Sequence, residues 1–501
     1  MAHVEAEKIQ NDNQSLCKVL EGPKDPILFK QNIDIIRRNV INMEDCCKSL
    51  IRTIPNLDWT RFNPEQSSDV LDLMGEIFSA HPITVPTGIE ALVKSIKTPD
   101  PVQQRFVLRA ITKLFCLLVK ISPASRKYIL ESLFANTPYP CRTKSHLLNH
   151  YNLLFSMIKK HEKMRPHLCE ILIEGLIKLD VELPNEKRLI LVKIVQELRD
   201  KNIPVQQARK HYAIDGDIDA YVQVADKYDE VLALCFKQMV KLHRTYQREG
   251  ESFYQVLWSG FSKVLACRGL IAVQFIWFYF SAVDADFCNE TLTDLWTRFN
   301  DVSELTHMRH SCITFLGGII SRGTFVPYDT LCDFLTSMSG WVHDYVLNNS
   351  QDGLECTEVG STFHPHHLFY VACQNLFYCI LFKTNSIKKG SDEARAWSDF
   401  VNKLGLEKVF FSSLNPLYFM SRKIVDQIAK VGTDLEIYYI YPLLERNNRL
   451  RGLKKSTEKP KANAVYINIL DLNNSCNFPF DPCVIPSAKV LIDPTYRTWK
   501  K

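Results

Sequence analysis

The stretch Ile271–Ala282, IAVQFIWFYFSA, opens a run to Tyr345 in which apolar residues recur at steps of three and four. That step is the period of an amphipathic helix. The first segment is apolar on nearly every side, so it needs neighbours on several sides. A second segment carries Leu292, Leu295, Trp296 and Phe299 on one face. A third carries Leu305, Met308, Cys312, Phe315, Leu316, Ile319 and Ile320, and a fourth carries Leu331, Phe334, Leu335, Met338, Trp341, Val342 and Tyr345. Asp301 with Glu304 has the spacing of a capping box for the third segment, and Pro327 is placed to stop it and start the fourth. Short links between such helices force antiparallel neighbours, and stacked antiparallel pairs make an α-solenoid.

Outward from this run the pattern repeats. Amphipathic segments are expected over Ser67–Ala80, Gly88–Ile96, Pro101–Ile121, Arg126–Ala135, Leu147–Met157, Pro166–Leu183 and Asn185–Leu198. More follow over Ala220–Glu249, Phe253–Ala266, Leu368–Phe382, Ala394–Leu404, Leu406–Ser413, Ile424–Val431 and Asp434–Glu445. A segment about every 20 residues fits two-helix repeats of about 40 to 47 residues. The expected fold is therefore all-α: a HEAT-type α-solenoid of antiparallel helix pairs over 26–448. Residues 1–25 are expected to be a disordered tail and 449–462 a basic linker. Residues 463–501 are expected to form an extended, proline- and aromatic-rich arm. The anchors of that arm are Phe478, Phe480, Tyr496 and Trp499.

Composition excludes several classes. With 61 basic and 56 acidic side chains, the net charge of +5 is too balanced to predict nucleic-acid binding by itself. Only 18 glycines among 501 residues argue against a large β protein. The polar start, MAHVEAEKIQNDNQ, has no signal-peptide pattern. The longest apolar run has about half the ~20 residues of a membrane span. The 16 cysteines fall mostly on helix core faces and read as reduced thiols.

No phosphate-binding glycine loop, HExxH, nucleophile elbow or CxxC pair occurs in the sequence. Glu304 and His307 form half of a carboxylate di-iron pattern without its second half, and a helix surface explains them better. His364, His366 and His367 near Cys373 have metal-binding chemistry, yet a loop-to-helix junction accounts for them more simply. No catalytic, metal or cofactor-binding residues are therefore assigned. Basic clusters stand out instead. Lys159, Lys160, His161, Lys163 and Arg165 lie in one turn. Lys237, Lys241, Arg244 and Arg248 share a helix face, and Lys454, Lys455, Lys459 and Lys461 follow later. Their bland reading is solvated surface, and their functional reading is contact with phosphates or an acidic protein. Gly317 and Gly318 inside a strong helix point to a neighbour packed very close.

Several strings occur in an order that resembles a known family: LWTRFNDVSELTHMRHSCITFLGGIISRGTFVP, HHLFYVACQNLFYCILFK, SSLNPLYFMSRKIVDQIA, LLERNNR and FPFDPCVIPSAKVLIDPTYRTW. Together they are similar to the RNA polymerase I-specific transcription initiation factors of eukaryotes, over about Leu147–Trp499. The resemblance implies a HEAT-type solenoid without catalytic activity. It also implies a nuclear, nucleolar protein that binds RNA polymerase I, makes it initiation-competent and bridges it to the promoter-bound core factor (selectivity factor). Members use a serine-bearing surface of their N-terminal repeats against the polymerase. Ser67, Ser68, Ser122, Ser125 and Ser145 are the candidates here, and the basic Lys159, Lys160, Arg165, Lys237, Lys241 and Arg244 are partner-binding candidates by their charge. The segment Ser321-Arg322-Gly323-Thr324 matches one proposed to touch DNA, with only Arg322 keeping the charge. The family's long acidic insertion is reduced here to Asp215, Asp217 and Asp219. Without the resemblance, a HEAT-type scaffold or transport adaptor for another partner fits the same helices.

Overall fold

In a computed structural model the chain is described at residues 26–42, 54, 57–97, 101–183, 218–267, 269–349, 365–388, 390–457, 478–480 and 483–499. The fold is all-α, and among these residues no strand occurs, only an isolated antiparallel bridge between Gly323 and Tyr496. The chain divides into two compact units. Unit 1 comprises residues 1–182 and 215–261, and unit 2 comprises 183–214 and 262–501.

Unit 1 is a short solenoid of two helical layers. One layer contains α2 (Pro64–Ala80), α4 (Pro101–Ile121), α6 (Lys144–Lys160) and α8 (Ile218–Glu249), with α1 (Pro26–Asn42) packed on α2. The other contains α3 (Val85–Lys94), α5 (Ser125–Ala135) and α7 (Arg165–Val181). The helices of the first layer run parallel: Lys144 at the start of α6 lies 2.7 Å from Asp226 near the start of α8, and later contacts follow in the same order. Lys113 lies 3.7 Å from Asp72, His161 meets Cys116 at 3.2 Å, and Lys159 donates to Gln238 at 3.0 Å.

The repeat that sequence identity could not establish is visible in two turns. The segments HPITVP (81–86) and HEKMRP (161–166) begin 80 residues apart, two units of 40, and have the same geometry. Each histidine closes its helix with φ −128°, and each is followed by a 3-10 turn and then a helix with proline in its first turn. Proline suits that place because its missing N–H would have no helical partner.

Unit 2 is built around aromatic side chains. After α9 (Phe253–Ala266), whose last residues begin this unit, it contains α10 (Phe275–Val283), α11 (Ala285–Asn300), α12 (Thr306–Arg322), α13 (Tyr328–Asn348) and α14 (His367–Ser386). The shorter helices are α15 (Asp392–Lys403), α16 (Leu406–Phe410), α17 (Pro416–Phe419) and α18 (Arg422–Asp434), before the longer α19 (Tyr441–Thr457) and the terminal α20 (Pro486–Ile492). Helices α12 and α14 are buried nearly all round and form the centre. Gly317 and Gly318 permit this: a Cβ on Gly317 would lie 2.5 Å from the Asn375 amide oxygen. A Cβ on Gly318 would lie 2.6 Å from the Phe480 ring.

The structure corrects several sequence expectations. Helix α10 starts only at Phe275: residues 271–274 precede it outside the helix, and the N–H groups of 275–277 bond back to the carbonyls of 272–274 in tight turns that lead into it. The capping box does not form: the Asp301 carboxylate accepts from the backbone N–H of Ser303 at 2.8 Å and from its hydroxyl at 2.7 Å. That local turn competes with a cap, and α12 begins only at Thr306. The helix expected over Asp434–Glu445 is broken, because the Tyr438 ring folds back onto Gly432, where any side chain would collide. The basic linker at 449–462 is helical through Thr457, continuous with α19. The extended arm at 463–501 contains the helix α20, yet its aromatic anchors stand where expected. Phe478 packs on Tyr378, Phe480 on Phe275, Phe278 and Phe315, Tyr496 on Phe278, and Trp499 on Phe382. The expected tail 1–25, the helix Asn185–Leu198, Asp215, Asp217, His364 and the first part of the expected arm, 463–477, lie outside the described residues.

Candidate interaction surface

The parallel layer of unit 1 aligns the C-terminal ends of α4 and α6 with the middle of α8, and the cations converge there. Lys120 ends α4, Lys159 and Lys160 end α6, Lys163 follows in the next turn, and Lys237, Lys241 and Arg244 share a face of α8. Lys120, Lys159, Lys160, Lys163, Lys237, Lys241 and Arg244 are all exposed. The two basic clusters, about 80 residues apart in sequence, form one edge, joined where Lys159 bonds Gln238. Partial burial, then the neighbouring Lys241 ammonium, lower the Lys159 ammonium pKa. Two like charges held this close favour an anionic partner, which would relieve the repulsion. Ile121, half exposed, and Glu162, exposed, also line this edge.

Arg165 belongs to the turn and serves structure. Its guanidinium donates to the Ile158 carbonyl at 3.1 Å, lies 5.1 Å over the Tyr246 ring and stands 3.8 Å from Glu251. It thereby occupies an orphan carbonyl at the end of α6 and ties the turn to α8.

The serine candidates separate. Ser122 is half-buried in the α4–α5 turn, on the basic edge. Ser68 and Ser145, both half-buried, stand in the first turns of α2 and α6, at the opposite end of the layer. Two candidates are removed. Ser67 is 2% exposed and its hydroxyl donates to the Trp59 carbonyl at 2.9 Å. Ser125 is 1% exposed and donates to the Ser122 carbonyl at 2.7 Å. Both hydroxyls close turns and face the interior.

Arg322 is likewise withdrawn as a DNA contact. It is 7% exposed, with its guanidinium 4.3 Å from the Phe382 ring centre, 5.2 Å from Tyr496 and 5.7 Å from Tyr378. A cation sandwiched among rings has no face left for a phosphate. Its partner in this arrangement is Arg497, whose backbone N–H donates to the Arg322 carbonyl and whose guanidinium donates to the Ser321 carbonyl at 2.9 Å.

A second exposed surface went unread in the sequence. Tyr439 and Tyr441 are exposed with ring centres 5.4 Å apart, and Arg446, Asn448 and Arg449 are exposed on α19 behind them. Asn447 is buried and makes a reciprocal amide pair with Asn415, at 2.7 and 3.1 Å. Within the string ERNNR, one asparagine locks the helix while its neighbours face solvent. Helical period alone does not give depth, so the sequence does not mark these two tyrosines as exposed.

His366, His367 and Cys373 do not gather into a metal site, and no group of three metal-capable side chains occurs among the described residues. His367 instead shares a hydrogen bond of 2.8 Å with His310, both buried. No described helix is long and apolar enough to cross a membrane.

Comparison with known proteins gives a consistent answer. Residues 7–501 match the family described as RNA polymerase I specific transcription initiation factor RRN3. The RNA polymerase I-specific transcription initiation factor RRN3 of Mus musculus is 22% identical over 98% of this chain and 78% of its own length. The Schizosaccharomyces pombe protein of the same description is 20% identical over 92% of this chain and 78% of its own. The crystal structure of RNA polymerase I transcription initiation factor Rrn3 superposes with a TM-score of 0.69 at 19% identity, covering 98% of this chain and 95% of that one. All three carry the description of an RNA polymerase I transcription initiation factor. The chain belongs to the family of RNA polymerase I-specific transcription initiation factors.

Proposed function

We propose that this initiation factor docks on RNA polymerase I through the basic edge of unit 1 and engages the promoter-bound core factor through unit 2. The observation that supports the first contact is the convergence of Lys159, Lys160, Lys237, Lys241 and Arg244 on one exposed edge. A helical stack presents such an edge preformed, so docking costs little ordering entropy. The exposed Tyr439 and Tyr441 at the start of α19, with its exposed arginines, supply unit 2 with a separate surface rich in the residues that dominate interfaces. Two surfaces on two units are what a bridging factor requires. The partner of the basic edge is an acidic surface of the polymerase. Phosphorylation of Ser122, placing about −1.5 to −2 charges on that edge, weakens the contact. The place of action is the nucleolus, where ribosomal RNA genes are transcribed.

The test is co-purification of polymerase I with the tagged chain and with a Lys159→Glu, Lys160→Glu, Lys241→Glu variant. Wild type recovers polymerase subunits and the folded variant loses most of them. Equal recovery by both removes the basic edge from the account. Recovery by neither, with a tagged protein excluded from nucleoli, favours a scaffold for another partner.

A further inference from the structure

The basic edge contains a thiol–imidazole pair. Cys116, half-buried on α4, has its Sγ 3.2 Å from Nε2 of His161, half-buried in the turn after α6. Lys120 follows Cys116 by one helical turn and Lys160 precedes His161. Arg126 stands close enough to act on the imidazole. A thiol within reach of solvent, beside a base and ringed by cations, is the setting in which cysteines exchange with anionic disulfides.

We propose that the Cys116–His161 pair is a modification site for anionic low-molecular-weight disulfides, of which oxidised glutathione is the probe. The Cys116 S–H gives its proton to Nε2 of His161. The thiolate sulfur then attacks one sulfur of the disulfide, forming a mixed disulfide on Cys116 as the original S–S bond breaks. The departing glutathione thiolate recovers the proton from the His161 imidazolium. Electrons balance: Cys116 is oxidised to the disulfide level and one glutathione is reduced.

Burial holds the Cys116 thiol up, against the opposing pull of Lys160 and Lys120, so its resting form is the neutral thiol. Burial, with Arg126 and Lys160, holds the His161 imidazole down, so its resting form is the free base. The pair therefore rests as thiol and base, and proton transfer accompanies attack. The surrounding lysines attract the reagent's carboxylates and stabilise the developing thiolate. The adduct places a bulky anion on the edge. Its effect on polymerase docking rests on the function proposed above.

The test incubates the full chain with oxidised glutathione under native conditions and maps adducts by peptide mass spectrometry. Cys141, exposed, is the internal reference. The expected result is modification of Cys116 ahead of Cys141, reversed by dithiothreitol, with the order inverted for the cationic disulfide cystamine. His161→Asn, with an unchanged melting curve, slows the Cys116 reaction at least about tenfold, since it removes the base. Modification of Cys141 first by both reagents, or an unchanged rate in His161→Asn, overturns the proposal. Mapping on the isolated chain reads the thiol alone, and polymerase capture by the lysine variant reads the docking alone, so one can fail without the other.

Discussion

The two units use similar helices and close them in different ways. In unit 1 each helix packs on the next of its layer, and the turns at 81–86 and 161–166 repeat one design. In unit 2 the core is completed by a segment from the far end of the chain. Arg322 and Arg497, 175 residues apart, exchange backbone and side-chain bonds, and Phe480 fills the notch at Gly318. A stack closed by neighbours leaves its edges available for partners. A stack closed by a distant segment uses its surface charges and aromatics internally, as the fate of Arg322 illustrates.

The largest expected effect tests that closure. Phe480→Ala empties a site lined by Phe275, Phe278 and Phe315 and is expected to cost about 3–5 kcal/mol. Denaturant unfolding measures the loss. A loss below about 1 kcal/mol means that the segment decorates unit 2 and does not complete it. Next, Arg322→Ala removes a cation held among three rings and should cost about 2–3 kcal/mol. Its affinity for duplex DNA by fluorescence anisotropy should match wild type at equal salt, and a specific loss with unchanged stability would restore Arg322 as a DNA contact.

His150 gives an effect confined to unit 1. Burial, followed by the charges of His146 and Lys178, pushes its pKa down to about 3, against an ordinary value of 6.5. The unfolded chain therefore binds the proton more readily between those values, and stability falls as pH drops through that window. At pH 5 the penalty is about 2 kcal/mol relative to pH 7. His150→Leu should flatten that part of the urea-midpoint profile, and an unchanged slope means that other groups set the acid dependence. The smallest effect on stability is expected on the basic edge. Lys159→Ala with Lys241→Ala should shift stability by no more than about 0.5 kcal/mol while weakening polymerase binding in a salt-dependent way.

Much of this was legible in the sequence, for reasons that differ by region. Helical period located most elements because burial imposes it. Gly317-Gly318 announced a close neighbour, though not that the neighbours are Asn375 and Phe480. The four aromatic anchors of the C-terminal segment could be chosen because large rings in a polar, proline-rich stretch need somewhere to go. What stayed hidden depends on depth and on which residues meet in space. Ser67 and Ser125 resemble any turn serine until their hydroxyls are seen inside. The continuation of α19 through Thr457 was masked by its charge density, which suits an exposed helix as well as a linker. The junction of the two basic clusters needed the parallel layer, which period alone does not supply.

The proposed docking sets the exposed cations of unit 1 against the polymerase. Lysine-reactive cross-linking of the chain bound to RNA polymerase I, read by mass spectrometry, tests it directly. Lys159, Lys160 and Lys241 are expected to link to polymerase subunits, with these links fading as salt releases the complex. Links confined to unit 2, with those three lysines reacting only within the chain, would contradict it.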